Sequence, residues 1–337
     1  MVQVKKIGVA VITWMWMLSW GCAQQSDMWL EFHPKDENNT GKQIVLISGD
    51  EEYRSEEYLP MLAKILTTHH GFKTRVLFAV DPQTGLVDPT YTQNIPGMEH
   101  LETADLLIIA TRFRELPDEQ MKYLEAYLDT GKPVIGLRTA THAFNYDKNS
   151  SSAYTKYSYS SDEKDWQGGF GQRILGETWI SHHGVHGSEG TRGLINGFFK
   201  SHPIVENVED IWGPTDVYTV ENLSEEAKVL VWGQSTQGMT AESPVNLEKS
   251  IMPVAWIQSY GSESGKKGRV FTTTMGSAID FLSEDLRRLV VNACYWSLEI
   301  ERTSSEKTNV EIVGNYQPTM FGFGDFKKNK RPKDFEN

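Results

Sequence analysis

Apolar residues along the chain fall into short runs parted by polar, turn-forming stretches. Residues 43–48 (QIVLIS), 73–80, 104–110 (ADLLIIA) and 133–138 read as strands, and the short apolar run that each contains is the pattern of strands buried on both faces of a sheet. Between the first two, the spacing predicts a helix from Ser55, an N-cap type followed by Glu56 and Glu57, to His70, stopped by Gly71. A second helix is predicted over 117–130, entered through Pro117 and left at Gly131. Strands alternating with helices predict an α/β fold around a mostly parallel sheet. Further on, 168–176 reads as the start of a helix, 229–232, 253–258 and 269–274 as strands, and 284–299 as an amphipathic helix. The polar 24–41 stretch reads as a linker, 145–166 as a surface insertion or lid, and 303–337 as a tail that wraps the surface on aromatic anchors.

In open α/β sheets, ligands bind just beyond the carboxyl ends of the strands. The first strand there runs into Asp50, Glu51, Glu52, Tyr53 and Arg54, the third into Arg112, and the fourth into Arg138, Thr139, Thr141 and His142. Asp50, Tyr53, Arg112, Arg138 and Thr139 are therefore candidate substrate contacts, with Asp216 of the Gly-Pro-Thr-Asp turn as a further carboxylate. A buried guanidinium needs a partner, so an ion pair between these arginines and the first-strand carboxylates is the competing, purely structural assignment.

Residues 179–187 (WISHHGVHG) hold three of the nine histidines. Neutral imidazole is a common ligand for zinc and related metals, so a divalent metal such as zinc is a candidate cofactor, with His142, His182 and His186 as ligands. No HExxH pattern is present, and Gly184 and Gly187 favour a loop over a helix. Histidines hydrogen-bonded around a substrate cleft remain the alternative. His142, His182, His183 and Glu52 are the residue types able to act as acid or base. The expected geometry sets His142 opposite His182 and His183, across a cleft closed by the 145–166 insertion.

Charge and cysteine narrow the classes. The 337-residue chain carries a formal net charge of −12, which disfavours nucleic acid as a partner, since phosphate binding needs a basic face. Lys5 and Lys6 precede an apolar run over 7–20, and Leu18 to Cys22 resembles a relaxed bacterial lipobox. Residues 1–23 are expected to be a signal peptide, and the protein an exported one. It would be an outer-membrane lipoprotein anchored through Cys22, its sole membrane attachment, or a periplasmic protein after ordinary cleavage. Cys294 then has no partner, and its helical apolar setting predicts a buried, inert thiol.

Three separated motifs, IVLISGDEEYRSEEYLP at 44–60, KPVIGLRTATHAF at 132–144, and GRVFTTTMGSAIDF with the helix after it at 268–302, together resemble the ThuA-like (trehalose utilisation) family. GFGQRILGETWISHHGVHG at 169–187 resembles the version found in exported bacterial proteins, and the likeness spans roughly 42–302. The resemblance implies a fold similar to class I glutamine amidotransferases, a flavodoxin-like three-layer α/β/α sandwich. Arg138 falls near the position of their nucleophilic cysteine, and arginine is no nucleophile, so Cys-dependent glutaminase chemistry is not expected. The resemblance also implies carbohydrate catabolism, with a small glycoside, oxidised to a 3-keto form, as substrate of a hydrolase or lyase. A non-catalytic sugar- or envelope-binding protein on a degenerate amidotransferase-like fold is the alternative.

Overall fold

The computed structural model describes residues 27–301 and 306–336. The expected targeting segment, Cys22 included, lies outside them. One ten-stranded sheet runs through the molecule. Its strands are β1 (Trp29–Phe32), β2 (Gln43–Gly49), β3 (Lys73–Phe78), β4 (Leu106–Thr111), β5 (Val134–Leu137), β6 (Thr191–Ile195), β7 (Trp212–Gly213), β8 (Lys228–Ser235), β9 (Met252–Gly261) and β10 (Lys267–Thr273), in the order β1-β3-β2-β4-β5-β10-β9-β8-β6-β7. Among the described residues three α-helices accompany them: α1 (Ser55–His70), α2 (Asp118–Asp129) and α3 (Glu284–Ser297).

The sheet has two halves. From β3 to β10 every neighbouring pair is parallel, and these strands are buried along most of their length. Successive side chains point to opposite faces, and both faces are covered. Ile44 and Leu46 of β2 share a core with Leu59, Leu62 and Leu66 of α1 and with Leu289 and Val290 of α3. Val45 and Ile47 share the opposite core with Leu124 and Leu128 of α2. Beyond β10 the pairing turns antiparallel through β9, β8, β6 and β7, and β1 closes the other edge antiparallel to β3. Five of the nine neighbouring pairs are thus antiparallel, so the expected mostly parallel sheet describes only its first half. The later strands hang on as a hairpin-built wing.

Other boundaries differ for local reasons. The 24–41 stretch, expected as linker, contains edge strand β1, pinned by Glu31, whose carboxylate takes Lys73 at 2.7 Å and Arg75 at 2.6 Å across the ladder. The α1 N-cap is Arg54, in the left-handed region at φ 62°, in place of Ser55. The Ser55 hydroxyl reaches back to accept from the Gly49 amide at 3.2 Å. At the other end Gly71 takes the left-handed conformation its position predicts. The helix expected over 168–176 is a single π-turn, Gly171–Leu175. The 145–166 insertion packs onto α2, with Tyr154 donating to Glu125 at 3.1 Å and Ser152 to Asp118 at 2.5 Å.

Candidate functional site

The parallel strands deliver the first loop of the site. After β2, the Asp50 carboxylate, 1% exposed, accepts the amides of Glu52 at 2.8 Å and Tyr53 at 3.0 Å, and the Thr139 hydroxyl at 2.6 Å. Asp50 and Thr139, expected as substrate contacts, therefore bond to each other and lock the loops after β2 and β5 together. Arg138, where β5 ends, sits at φ 41°, a left-handed conformation that a residue with a side chain adopts only under constraint. It is held there by its guanidinium, which donates to the carbonyls of Thr274 (2.7 Å) and Asp216 (3.1 Å), the Tyr53 hydroxyl (3.1 Å) and the Asp216 carboxylate (3.1 Å). The rings of Tyr53 and Tyr218 flank it at 4.2 and 4.1 Å. Arg138 is 1% exposed, so it organises the site from below.

The second loop comes from the long segment before β6. Residues 181–184 pair with 216–219: His182 bridges Tyr218, and the Val217 carbonyl accepts both the His183 and Gly184 amides at 2.9 Å. Gly184 permits the approach, because a Cβ there would stand 2.9 Å from that of Asp216. Glu189 fixes the far side of the loop, accepting from the Val185 amide at 2.8 Å and from Lys249 at 2.6 Å.

Asp216 is where the two loops meet. Its carboxylate is fully buried, and each oxygen faces an imidazole: Oδ2 lies 2.6 Å from His182 Nδ1 and Oδ1 lies 3.1 Å from His186 Nδ1. About a third of each imidazole side chain stays exposed, 35% for His182 and 36% for His186. Nε2 of His186 lies 3.2 Å from the Glu52 carboxylate. Burial alone would raise the Asp216 acid, but the bonds to His182 and His186 and the charge of Arg138 outweigh it and hold the carboxyl well below the usual range. His186 moves upward, chiefly through its bond to Asp216. Glu52 is raised by burial and then by Asp50, against the opposing charges of Arg112, Arg138 and His186. Arg112 pairs with Glu51 and stands 3.6 Å from Glu52.

One donor atom each from His182, His186 and Asp216 falls within 4.8 Å of the others. Two imidazoles and a carboxylate are the donor types of three-ligand catalytic zinc sites. Two of the three expected ligands are thus in the group, and Asp216 stands where His142 was expected. His142 is 3% exposed and ringed by Phe113, Trp179, Tyr159 and Tyr218, with Nδ1 3.2 Å from the Thr141 hydroxyl. Burial, reinforced by Arg112 and Arg138, pushes it well below the ordinary histidine value, so it is a neutral part of the wall. His183 turns away, Nε2 on the Ser250 carbonyl at 2.8 Å. The expected pairing of His142 with His182 and His183 under a 145–166 lid is therefore replaced. Of the insertion, Tyr159 reaches His142, at 6.5 Å between rings. The tail reaches His186 instead, with Phe321 5.4 Å from its ring and 5.5 Å from Tyr53. Sequence reasoning had no signal for Phe321 beyond its place in an aromatic tail.

A family model described as ThuA, trehalose utilisation, matches residues 43–297. Among solved structures, a ThuA-like protein from Bacteroides uniformis is 13% identical, covering 79% of this chain and 95% of its own, with a TM-score of 0.46. One from Parabacteroides merdae is 14% identical, covering 88% and 99%, with a TM-score of 0.45. No curated protein matches the chain.

Proposed function

Because the chain belongs to the ThuA family, trehalose utilisation, we propose that it is a metal-dependent hydrolase or lyase of a small glycoside carrying a ketone at C3, working at the His182–His186–Asp216 cluster. The observation that carries this reading is the fully buried Asp216 carboxylate holding two part-exposed imidazoles, with Glu52 beside them. A divalent ion such as zinc bound there would polarise the ketone oxygen and favour negative charge on it. The strand order supports a flavodoxin-like sandwich: numbered among themselves, the parallel strands run 2-1-3-4-5, and the cluster lies beyond their carboxyl ends.

The chain's own residues would do the rest. Glu52, with its raised pKa, takes the proton from C2, which the neighbouring ketone makes acidic. The electron pair forms the C1–C2 double bond, the C1–O bond breaks, and the aglycone leaves as its alcohol after protonation by solvent. Water added across the double bond completes hydrolysis; without it the outcome is elimination. Arg112 lies close enough to Glu52 to keep its carboxylate in place. Arg138 holds Asp216 ionised toward the imidazoles.

The test is turnover of trehalose and 3-keto-trehalose by zinc-loaded protein, with and without chelator. Cleavage of the keto sugar alone is expected, lost with chelator and in Glu52→Gln. Sugar binding without turnover would instead favour a non-catalytic sugar-binding protein. Export is part of the same proposal: globomycin should block processing at Cys22 if the protein is a lipoprotein and leave it unaffected if cleavage is ordinary. A full-length cytoplasmic product would contradict both.

A further inference from the structure

The tail approaches the site as a constrained loop. Glu57, in the first turn of α1, ties both of its ends: its carboxylate accepts the Thr319 amide at 2.8 Å and hydroxyl at 2.7 Å, and pairs with Lys327 at 3.4 Å. Upstream, Tyr316 donates to the Ala278 carbonyl at 2.5 Å. Between the ties runs Met320-Phe321-Gly322-Phe323-Gly324-Asp325-Phe326. Gly322 and Gly324 adopt φ 142° and 82°, conformations open to glycine and rare for residues with a side chain. The Gly322 amide donates to the backbone carbonyl of Glu52 at 2.8 Å, so the loop is bonded to the residue that carries the proposed base.

The two phenylalanines do different things there. Phe321 is half-buried between Tyr53 and His186 and completes the hydrophobic side of the imidazole pair. Phe323 is 60% exposed, with the Arg112 guanidinium 5.1 Å from its ring centre, and Met320 beside it is 45% exposed. Among the described residues the Arg112 contact leaves most of this apolar ring open, on a strap next to charged groups. Such patches commonly mark ligand grooves. A pyranose ring has the matching chemistry: axial C–H bonds make one face apolar and suited to an aromatic ring, while its rim hydroxyls suit Arg112, Glu51 and Glu52.

We propose that residues 320–326 form a sugar-stacking subsite, with Phe323 taking the apolar face of a pyranose ring and Phe321 shielding His186 from water. This rests on the glycoside reading above and deepens it, by giving that reading a specificity element outside the region matched to the family.

The experiment is calorimetric titration, on the full chain, of zinc and then of trehalose and 3-keto-trehalose into wild type, Phe323→Ala and Phe323→Tyr. Phe323 is exposed, so the variants are expected to keep the wild-type melting temperature. Expected is equal zinc affinity in all three, sugar affinity about tenfold weaker in Phe323→Ala, and recovery in Phe323→Tyr. Sugar affinity unchanged in Phe323→Ala, with zinc bound, overturns the subsite and leaves the glycoside reading standing. Failure of zinc-loaded wild type to bind either sugar overturns the glycoside reading, and the subsite with it.

Discussion

Glu56 offers a test of the packing under the site that needs no ligand. It lies in the first turn of α1, directly after the loop that carries Glu52, and is 1% exposed, with no hydrogen bond from another residue to either carboxyl oxygen among the described residues. Burial pushes its pKa from the ordinary 4.5 up to about 8, with its own backbone amide opposing and Glu57 adding. Between those values the folded chain binds more protons than the unfolded chain, so stability falls as pH rises through that window and levels off above it. At about 1.4 kcal/mol per unit, the interval from 4.5 to neutral pH corresponds to roughly 3 kcal/mol of stability lost by pH 7. Glu56→Gln keeps the shape and removes the titration. Urea unfolding of both proteins at several pH values from 4 to 9 isolates this carboxyl, because the other titrating groups are shared. The variant's advantage should be near zero at pH 4, grow steadily, and reach a plateau near pH 8. A difference that stays flat across the range, or falls, would refute a neutral, unpaired Glu56.

Three further outcomes follow from single contacts. Arg138→Met leaves Asp216 buried without its cation and should cost about 3–5 kcal/mol in chemical denaturation; a loss under 1 kcal/mol would contradict the role given to this ion pair. Gly184→Ala places a methyl 2.9 Å from the Asp216 Cβ and 3.1 Å from the Val217 amide. It should destabilise the fold by about 1–3 kcal/mol and weaken zinc binding at least tenfold by calorimetry. Cys294 is fully buried, and burial pushes its thiol up, so iodoacetamide at pH 8 should leave it unlabelled in native protein and label it in urea, as read by peptide mass spectrometry.

What the chain announces and what it hides divide along physical lines. Runs such as 43–48 and 104–110 are buried on both faces, so their apolar continuity marks them as parallel strands, and Gly71 marks the end of α1 because the left-handed turn there favours glycine. The antiparallel wing is less visible. β7 is two residues long, and β6 (TRGLI) carries too little alternation to distinguish it from a loop. The candidate site follows the same division. Glu52, Arg112 and Arg138 were legible because strand ends in such sheets face ligands. Asp216 looked like a turn residue because its partners are remote in sequence, His182 at 34 positions and Arg138 at 78. His142 sits at the expected strand end, but four aromatic rings enclose it, and no local pattern foretells that enclosure. Phe321 and Phe323 come from the tail, whose route to the site depends on Glu57 and Glu52, far away in sequence.

In the proposed mechanism His182, His186 and Asp216 hold a divalent metal and His142 does not. Calorimetric titration of zinc into wild type, His142→Ala and His182→Ala/His186→Ala tests it most directly, with circular dichroism confirming that each protein is folded. One zinc per chain is expected in wild type and His142→Ala, and no measurable binding in the double variant. Equal zinc binding by the double variant, or loss of binding in folded His142→Ala alone, would contradict it.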